Sequence, residues 1–147
     1  MSSTASNKLK FLLANKVINF AAAGGDVFKI ILMKTGFVFN KDTHHGYADV
    51  SSDELATANG YTAGGETLGG VAVTEDDTDD RCEITWSNVT WTAGAGAIGP
   101  TPGAIIYDDT VTTPTADPII GYIDFGGDQT QAAGGAATIS NIEVRIA

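Results

Sequence analysis

Between Val27 and Met33 the chain reads VFKIILM, and its apolar residues occupy both phases of a two-residue repeat. Phe28, Ile30 and Leu32 fall on one face of an extended chain, and Val27, Lys29, Ile31 and Met33 fall on the other. A strand that is apolar on both sides needs cover on both sides, so this segment is expected in the middle of a sheet. Upstream, Leu9, Leu12, Leu13, Val17 and Phe20 follow helical spacing, while Lys16 to Phe20 alternate as a strand does. The pattern predicts a helical turn or two, then a strand that hairpins through Ala21-Ala22-Ala23-Gly24-Gly25-Asp26. Residues 40–66 carry no sustained periodicity and read as an extended loop, with Ser51-Ser52-Asp53-Glu54-Leu55 as a capped helical turn.

The second half opens with GVAV at 70–73. Cys82, Ile84 and Trp86 alternate with Glu83, Thr85 and Ser87, after which Val89 and Trp91 take the odd positions. If both Trp side chains face the core, that change of phase demands a bulge or bend at Ser87-Asn88. Ala104 to Tyr107 is a short β-like run ending in a turn, Ile119 to Phe125 is another strand, and Ile142, Val144 and Ile146 alternate with Glu143 and Arg145. Gly, Asn, Asp, Thr and Pro mark turns at short intervals throughout. These signals predict an all-β fold, a single-domain β-sandwich of jelly-roll or immunoglobulin-like type with about seven or eight strands. It spans residues 1–147, with residues 1–15 as a candidate N-terminal arm and room there for a short helical turn.

One stretch offers a sharper signal. Gly94, Gly96 and Gly99 in TWTAGAGAIGPTPG have the G-x-G-x-x-G spacing of a dinucleotide-binding turn. That chemistry requires a helix to leave the turn, because the pyrophosphate sits on the free N–H groups of its first turn. Here Pro100, Pro102 and Gly103 follow, and then the aliphatic and aromatic run. The downstream acid at the expected distance, Asp117, precedes Pro118 in another turn. The motif reads as a glycine-rich connection between strands, and no cofactor is expected.

The 147 residues suffice for one domain with a substantial core. No apolar run approaches the length of a membrane span, and the start MSSTASNKLKFLLANK lacks the long apolar stretch and small-residue cleavage site of a secretory signal. Cys82 is the single cysteine, as expected of a protein made in a reducing cytoplasm, where the Asn88-Val89-Thr90 sequon carries little weight. Charge is divided along the chain. Residues 1–41 hold six lysines against Asp26, whereas residues 42–147 hold Arg81 and Arg145 against all the remaining carboxylates of a chain with net charge −10. An acidic body repels phosphate backbones, so neither nucleic acid nor membrane is an expected partner. The basic end could dock on an acidic neighbour or merely solvate an edge.

Other candidate chemistry is sparse. His44 and His45 are adjacent, so on an extended chain they point apart; Asp42 and Asp49 lie near, but zinc asks for three or four ligands. The acidic run Glu75 to Asp80 puts Asp76, Thr78 and Asp80 at calcium-loop spacing, yet Arg81 and Ser87 stand where the EF-hand loop needs Gly and Glu. It reads as a solvated hairpin turn, and no metal is expected. Asp108-Asp109, Asp124 and Asp128 offer no pair whose spacing brings two carboxyl groups together for hydrolysis, and no nucleophile motif is present. The chain is not expected to be an enzyme.

As a set, several segments resemble a family of small structural proteins of tailed bacteriophages: the Asp42-Thr43-His44 segment, ANGYTAGGETL (Ala58 to Leu68), AIIYDDT (from Ala104) and IGYIDFGGDQ (Ile120 to Gln129). The likeness runs over about residues 8–146, and the chain departs from it in the Gly- and Pro-rich GAGAIGPTPG. None of these segments is a catalytic motif. The resemblance implies a virion protein, and in particular a capsid decoration, or cement, protein on the shell exterior that bridges subunits of the major capsid protein. It would assemble in the host bacterial cytoplasm, self-associate as a trimer or dimer, and dock through its basic end, for which Lys8, Lys10 and Lys16 are the candidates. Two alternatives are a tail-associated or fibre-base module using Trp86, Trp91 and Tyr107 against a host surface, and, more distantly, a polysaccharide hydrolase using Asp124 or Asp128.

Overall fold

The two-faced strand lies where its pattern requires. In the computed structural model, which describes residues 1–147, Phe28–Leu32 is an inner strand of a five-stranded antiparallel sheet, and its residues 28 and 30–32 are buried. The strands in chain order are β1 (Ser2–Ala5), β2 (Phe28–Leu32), β3 (Glu66–Leu68), β4 (Ala72–Asp76), β5 (Arg81–Trp86), β6 (Val89–Thr92), β7 (Ile98–Asp108), β8 (Ile119–Gln131), β9 (Ala136–Ile139) and β10 (Ile142–Ile146). One α-helix, α1 (Asn7–Ala14), follows β1, and two single 3-10 turns, Tyr47–Asp49 and Ser51–Asp53, interrupt the long loop after β2. The sheets run β1-β8-β7-β2-β3, β10-β5-β4 and β6-β9, with every pair antiparallel. The fold is all-β, with ten strands where seven or eight were expected.

The main core joins Phe28, Ile30 and Leu32 of β2 to Ile84 and Trp86 of β5, Trp91 of β6 and Val144 of β10. A second cluster, made by Ile31, Met33, Ile105, Tyr107, Ile119 and Tyr122 with Val50, lies on the opposite face of the large sheet beneath the loop of residues 34–65. Both faces of β2 and β7 are thereby dry, which is why their sequences lack polar alternation. The phase change between Trp86 and Trp91 also has its expected cause. The chain bends at Ser87-Asn88 and leaves one small sheet for another, so Trp86 and Trp91 are 5% and 2% exposed although they sit in opposite phases.

Residues 1–15 lie in the fold as β1 and α1. Ser2 to Ala5 pair with Asp124 to Gly121 of β8, and Ser6 caps α1 by accepting the Lys8 N–H at 3.1 Å while its own N–H donates to Ile120 O at 3.0 Å. Leu9 and Leu12 are fully buried beneath α1. The strand expected at Lys16 to Phe20 is not formed. Lys16 ends the helix in the left-handed region (φ 57°), and Asn19 then closes an irregular loop on Asp26 by two bonds, Asn19 N–H to Asp26 Oδ2 at 2.7 Å and Asp26 N–H to Asn19 O at 2.9 Å. Ile18 is buried nonetheless, so the alternation there reports burial without strand pairing.

The glycine-rich stretch is a connection, from β6 to β7, and it is clasped by a tight turn. Ala58 pairs with Tyr61 across Asn59-Gly60, and this turn accepts Gly94 N–H on Asn59 O at 2.9 Å and donates Asn59 Nδ2 to Ala97 O at 3.0 Å. Gly60 has φ 96°, and a Cβ there would meet Thr92 O at 2.0 Å, so only glycine allows the two backbones to approach. Strand β7 begins earlier than its apolar run. Pro100 and Pro102 fall inside it, in the portion that extends beyond β2 and pairs only with β8, where a missing N–H disrupts no second ladder.

Candidate docking face

The exposed side of α1 is built by its caps and its buried pair. With Leu9 and Leu12 held inward, helical geometry turns Asn7, Phe11 and Ala14 to solvent and sets Lys10 and Lys8 on the two flanks of that stripe. Phe11 is 53% exposed, an unusual position for a large aromatic side chain, and the Lys8 ammonium sits 5.3 Å from its ring centroid. Lys16 follows at the carboxyl end of the helix, exposed, with its N–H on Leu13 O at 3.0 Å. A cation there complements the partial negative charge of the helix terminus. Lys41 joins the neighbourhood through its carbonyl, which accepts Asn7 N–H at 3.2 Å. Structure thus adds Phe11 to the three lysines read from sequence. Its only signal in the sequence was its place opposite Leu9 and Leu12 on the helical wheel.

The charges of this face are free. Of the six lysines only Lys29 meets a carboxylate, Asp109 at 3.1 Å, while Lys34 donates to Ser52 O at 2.7 Å. Both arginines, by contrast, are consumed by the acidic half. Arg81 contacts Asp76 at 3.2 Å, Asp79 at 3.1 Å and Glu83 at 2.7 Å, and Arg145 bonds Glu143 and approaches Glu83 at 3.8 Å. The run Glu75 to Asp80 comprises the last two residues of β4 and the hairpin turn into β5, in which Asp76 Oδ1 accepts the N–H groups of Thr78 and Asp79.

The remaining sequence candidates are dispersed. His44 Nδ1 accepts Asn40 N–H at 3.2 Å and its ring stacks on Phe37, while His45 Nε2 donates to Asp42 O at 2.8 Å, so both rings fasten their own loop. Asp49 accepts the His45 and Gly46 N–H groups, and these bonds hold its carboxyl below the usual range. No group of three His, Cys, Asp or Glu side chains is arranged to hold a metal. Asp124 accepts Gly126 N–H at 2.8 Å and Asp128 accepts the Thr35 hydroxyl, each in separate local use. Trp86, Trp91 and Tyr107 are buried, at 5%, 2% and 3% exposure, so they offer no aromatic platform to a host surface.

Two buried carboxyl groups were invisible in the sequence. Glu54 is 4% exposed and accepts Tyr61 OH at 2.6 Å, Tyr47 OH at 2.6 Å and Gly64 N–H at 2.7 Å. Burial and then the Glu54 carboxylate push the Tyr47 phenol up to about 12, and they push that of Tyr61 up further. Asp108 is fully buried at the end of β7. Its Oδ1 accepts Thr110 N–H at 2.8 Å and Val111 N–H at 3.2 Å, and its Oδ2 has no donor. Burial, and then the neighbouring Asp26, raise its pKa to about 6.

No protein-family model, curated protein or solved structure matches the chain.

Proposed function

We propose that this chain is a structural protein of a tailed-bacteriophage virion and acts as a decoration, or cement, protein on the exterior of the shell formed by the major capsid protein. The resemblance of its Ala58 to Leu68 and Ile120 to Gln129 segments to that family motivates the class. The observation that carries the docking role is the exposed Phe11 flanked by free lysines on a chain otherwise acidic. A central aromatic with charged flanks is the composition of an interface in which the ring supplies contact energy and the charges supply steering. Acidic loops facing away would keep decorated particles from adhering to one another. Assembly as a trimer or dimer on local symmetry axes belongs to the same reading.

Quantitative mass spectrometry of purified particles tests the class: a copy number comparable with that of the shell subunit is expected, and absence from particles overturns it. The face is tested by replacing Lys8, Lys10 and Lys16 with Glu, and separately Phe11 with Ser. Both variants should fold as the parent does and lose occupancy on particles, the triple variant most at low salt. Occupancy equal to the parent's at low salt would remove α1 from the docking face.

A further inference from the structure

Strand β8 runs for thirteen residues, but β1 covers its outer edge only from Gly121 to Asp124. Beyond that point, from Phe125 to Gln131, no strand pairs with that side of β8, and β9 likewise has a partner, β6, on one side only. Folded sheets normally blunt such edges with charge or Pro. Here the one charged residue on the open stretch, Asp128, is occupied by the Thr35 hydroxyl, and Gln129, Thr130 and Gln131 follow without further protection.

A cleft of about 550 Å³ lies between the β7–β8 arm and β9, within the range of cavities that hold ligands. Ile98, Phe125 and Ile139 give it an apolar floor, and Thr101, Gln129 and Gln131 give it uncharged polar walls. No charged side chain lines it, in a chain that carries 18 acidic and 8 basic residues. Trp91 also lines this cleft, and its buried indole N–H has no acceptor.

We propose that this cleft is a binding site for an extended, uncharged polypeptide segment of another protein, which adds as a strand to the open edge of β8 at Asp128–Gln131 and inserts alternate apolar side chains toward the floor formed by Ile98, Phe125 and Ile139. Open backbone donors and acceptors select a peptide over other uncharged molecules, because only a peptide matches their repeat. The absence of charge selects an uncharged segment, since a buried unpaired charge is costly. Strand β1 already shows the geometry. It lies antiparallel on β8 with Ser2 opposite Asp124, and Met1 lines the cleft. The proposal is independent of the virion reading.

The test uses the full chain labelled with ¹⁵N and a soluble synthetic peptide of alternating valine and threonine. Addition should shift the Trp91 indole N–H together with the amides of Thr130, Gln131, Ala137 and Thr138, and should slow hydrogen exchange at 128–131. The same peptide methylated on its edge-facing backbone nitrogens should bind at least about tenfold more weakly. Thr130→Pro, which removes an edge donor, and Ala137→Arg, which puts a charge in the cleft, should each abolish the shifts while the rest of the spectrum persists. Unmoved resonances at about 1 mM peptide would overturn the proposal. So would shifts that survive backbone methylation, which would make the cleft a small-molecule pocket. Concentration-dependent shifts at 128–131 without peptide would assign the edge to a second copy of the chain and overturn it equally.

Discussion

At the scale of single residues, the two buried carboxyl groups differ in what completes them. Glu54 has donors on both oxygens, whereas Asp108 has donors on one oxygen and another acid beside it. Burial, and then the Asp26 carboxyl beside it, disfavour the charge on Asp108, which holds its proton to a higher pH than a free carboxyl does. The folded chain therefore keeps a proton between an unfolded pKa of about 3.9 and a folded value of about 6. Because the folded state binds more protons in that window, Asp108's contribution is fullest below the unfolded value and is lost as pH rises through the folded one. Urea denaturation from pH 4 to 7 should show stability declining across that window. Asp108→Asn, which keeps the acceptor for Thr110 and Val111 and adds a donor toward Asp26, should flatten the decline; an unchanged slope would show that the proton is held elsewhere. Nothing in the sequence marks this pair, since Asp26 and Asp108 meet only through β2 and β7. Phe11 was legible in principle, because a helix with Leu9 and Leu12 inward must put residue 11 outward.

Elements were legible where the cause of burial was local. The two-faced pattern at Val27 to Met33 gave a central strand, Leu9 and Leu12 gave a helix, and the shift from Trp86 to Trp91 gave a bend. What escaped was set by distant partners. Ser2 to Ala5 carries no strand pattern and is a strand because β8 offers an edge, and Ala136–Ile139 is one because β6 does. Residues 98–103 and 126–131 likewise extend β7 and β8 through Gly and Pro, against their local tendencies. The loop of residues 34–65 owes its form to one hub. Glu54 ties Tyr47, Tyr61 and Gly64 together, Tyr61 OH in turn accepts Leu32 N–H at 3.0 Å, and Tyr107 OH reaches Gly64 O at 2.8 Å. Glu54→Leu keeps the apolar volume and removes the acceptors, so it should cost about 1–3 kcal/mol for each donor stranded. Glu54→Gln should fall between it and the parent. Denaturant midpoints check the order, and hydrogen exchange in residues 47–65 should rise in parallel; equal midpoints for the two variants would mean that the hub contributes packing alone.

For the whole molecule, charge is uneven in use as well as in sequence. Both arginines are spent on carboxylates of β4, β5, β10 and the β4–β5 turn, and five lysines meet no carboxylate, so most carboxylates have no cation beside them. Net self-repulsion of this sort weakens when salt shortens the screening distance from about 10 Å at 0.1 M to about 3 Å at 1 M. The thermal midpoint should therefore rise with sodium chloride, a salt that tests screening without the exclusion effects of sulfate. A midpoint that falls would show that the few ion pairs outweigh the repulsion. The all-β class followed from turn spacing, but the division into three sheets did not, because that depends on which edges meet. One such meeting governs how the chain comes into being. Strand β1 leaves the ribosome before its partner in β8, which lies about 120 residues later in the chain. At about 5–20 residues per second, that strand waits roughly 6–24 s before its edge exists. The large sheet consequently closes only after β8 has been made, and until then Ser2–Ala5 is an unpaired segment that other factors in the cell can reach.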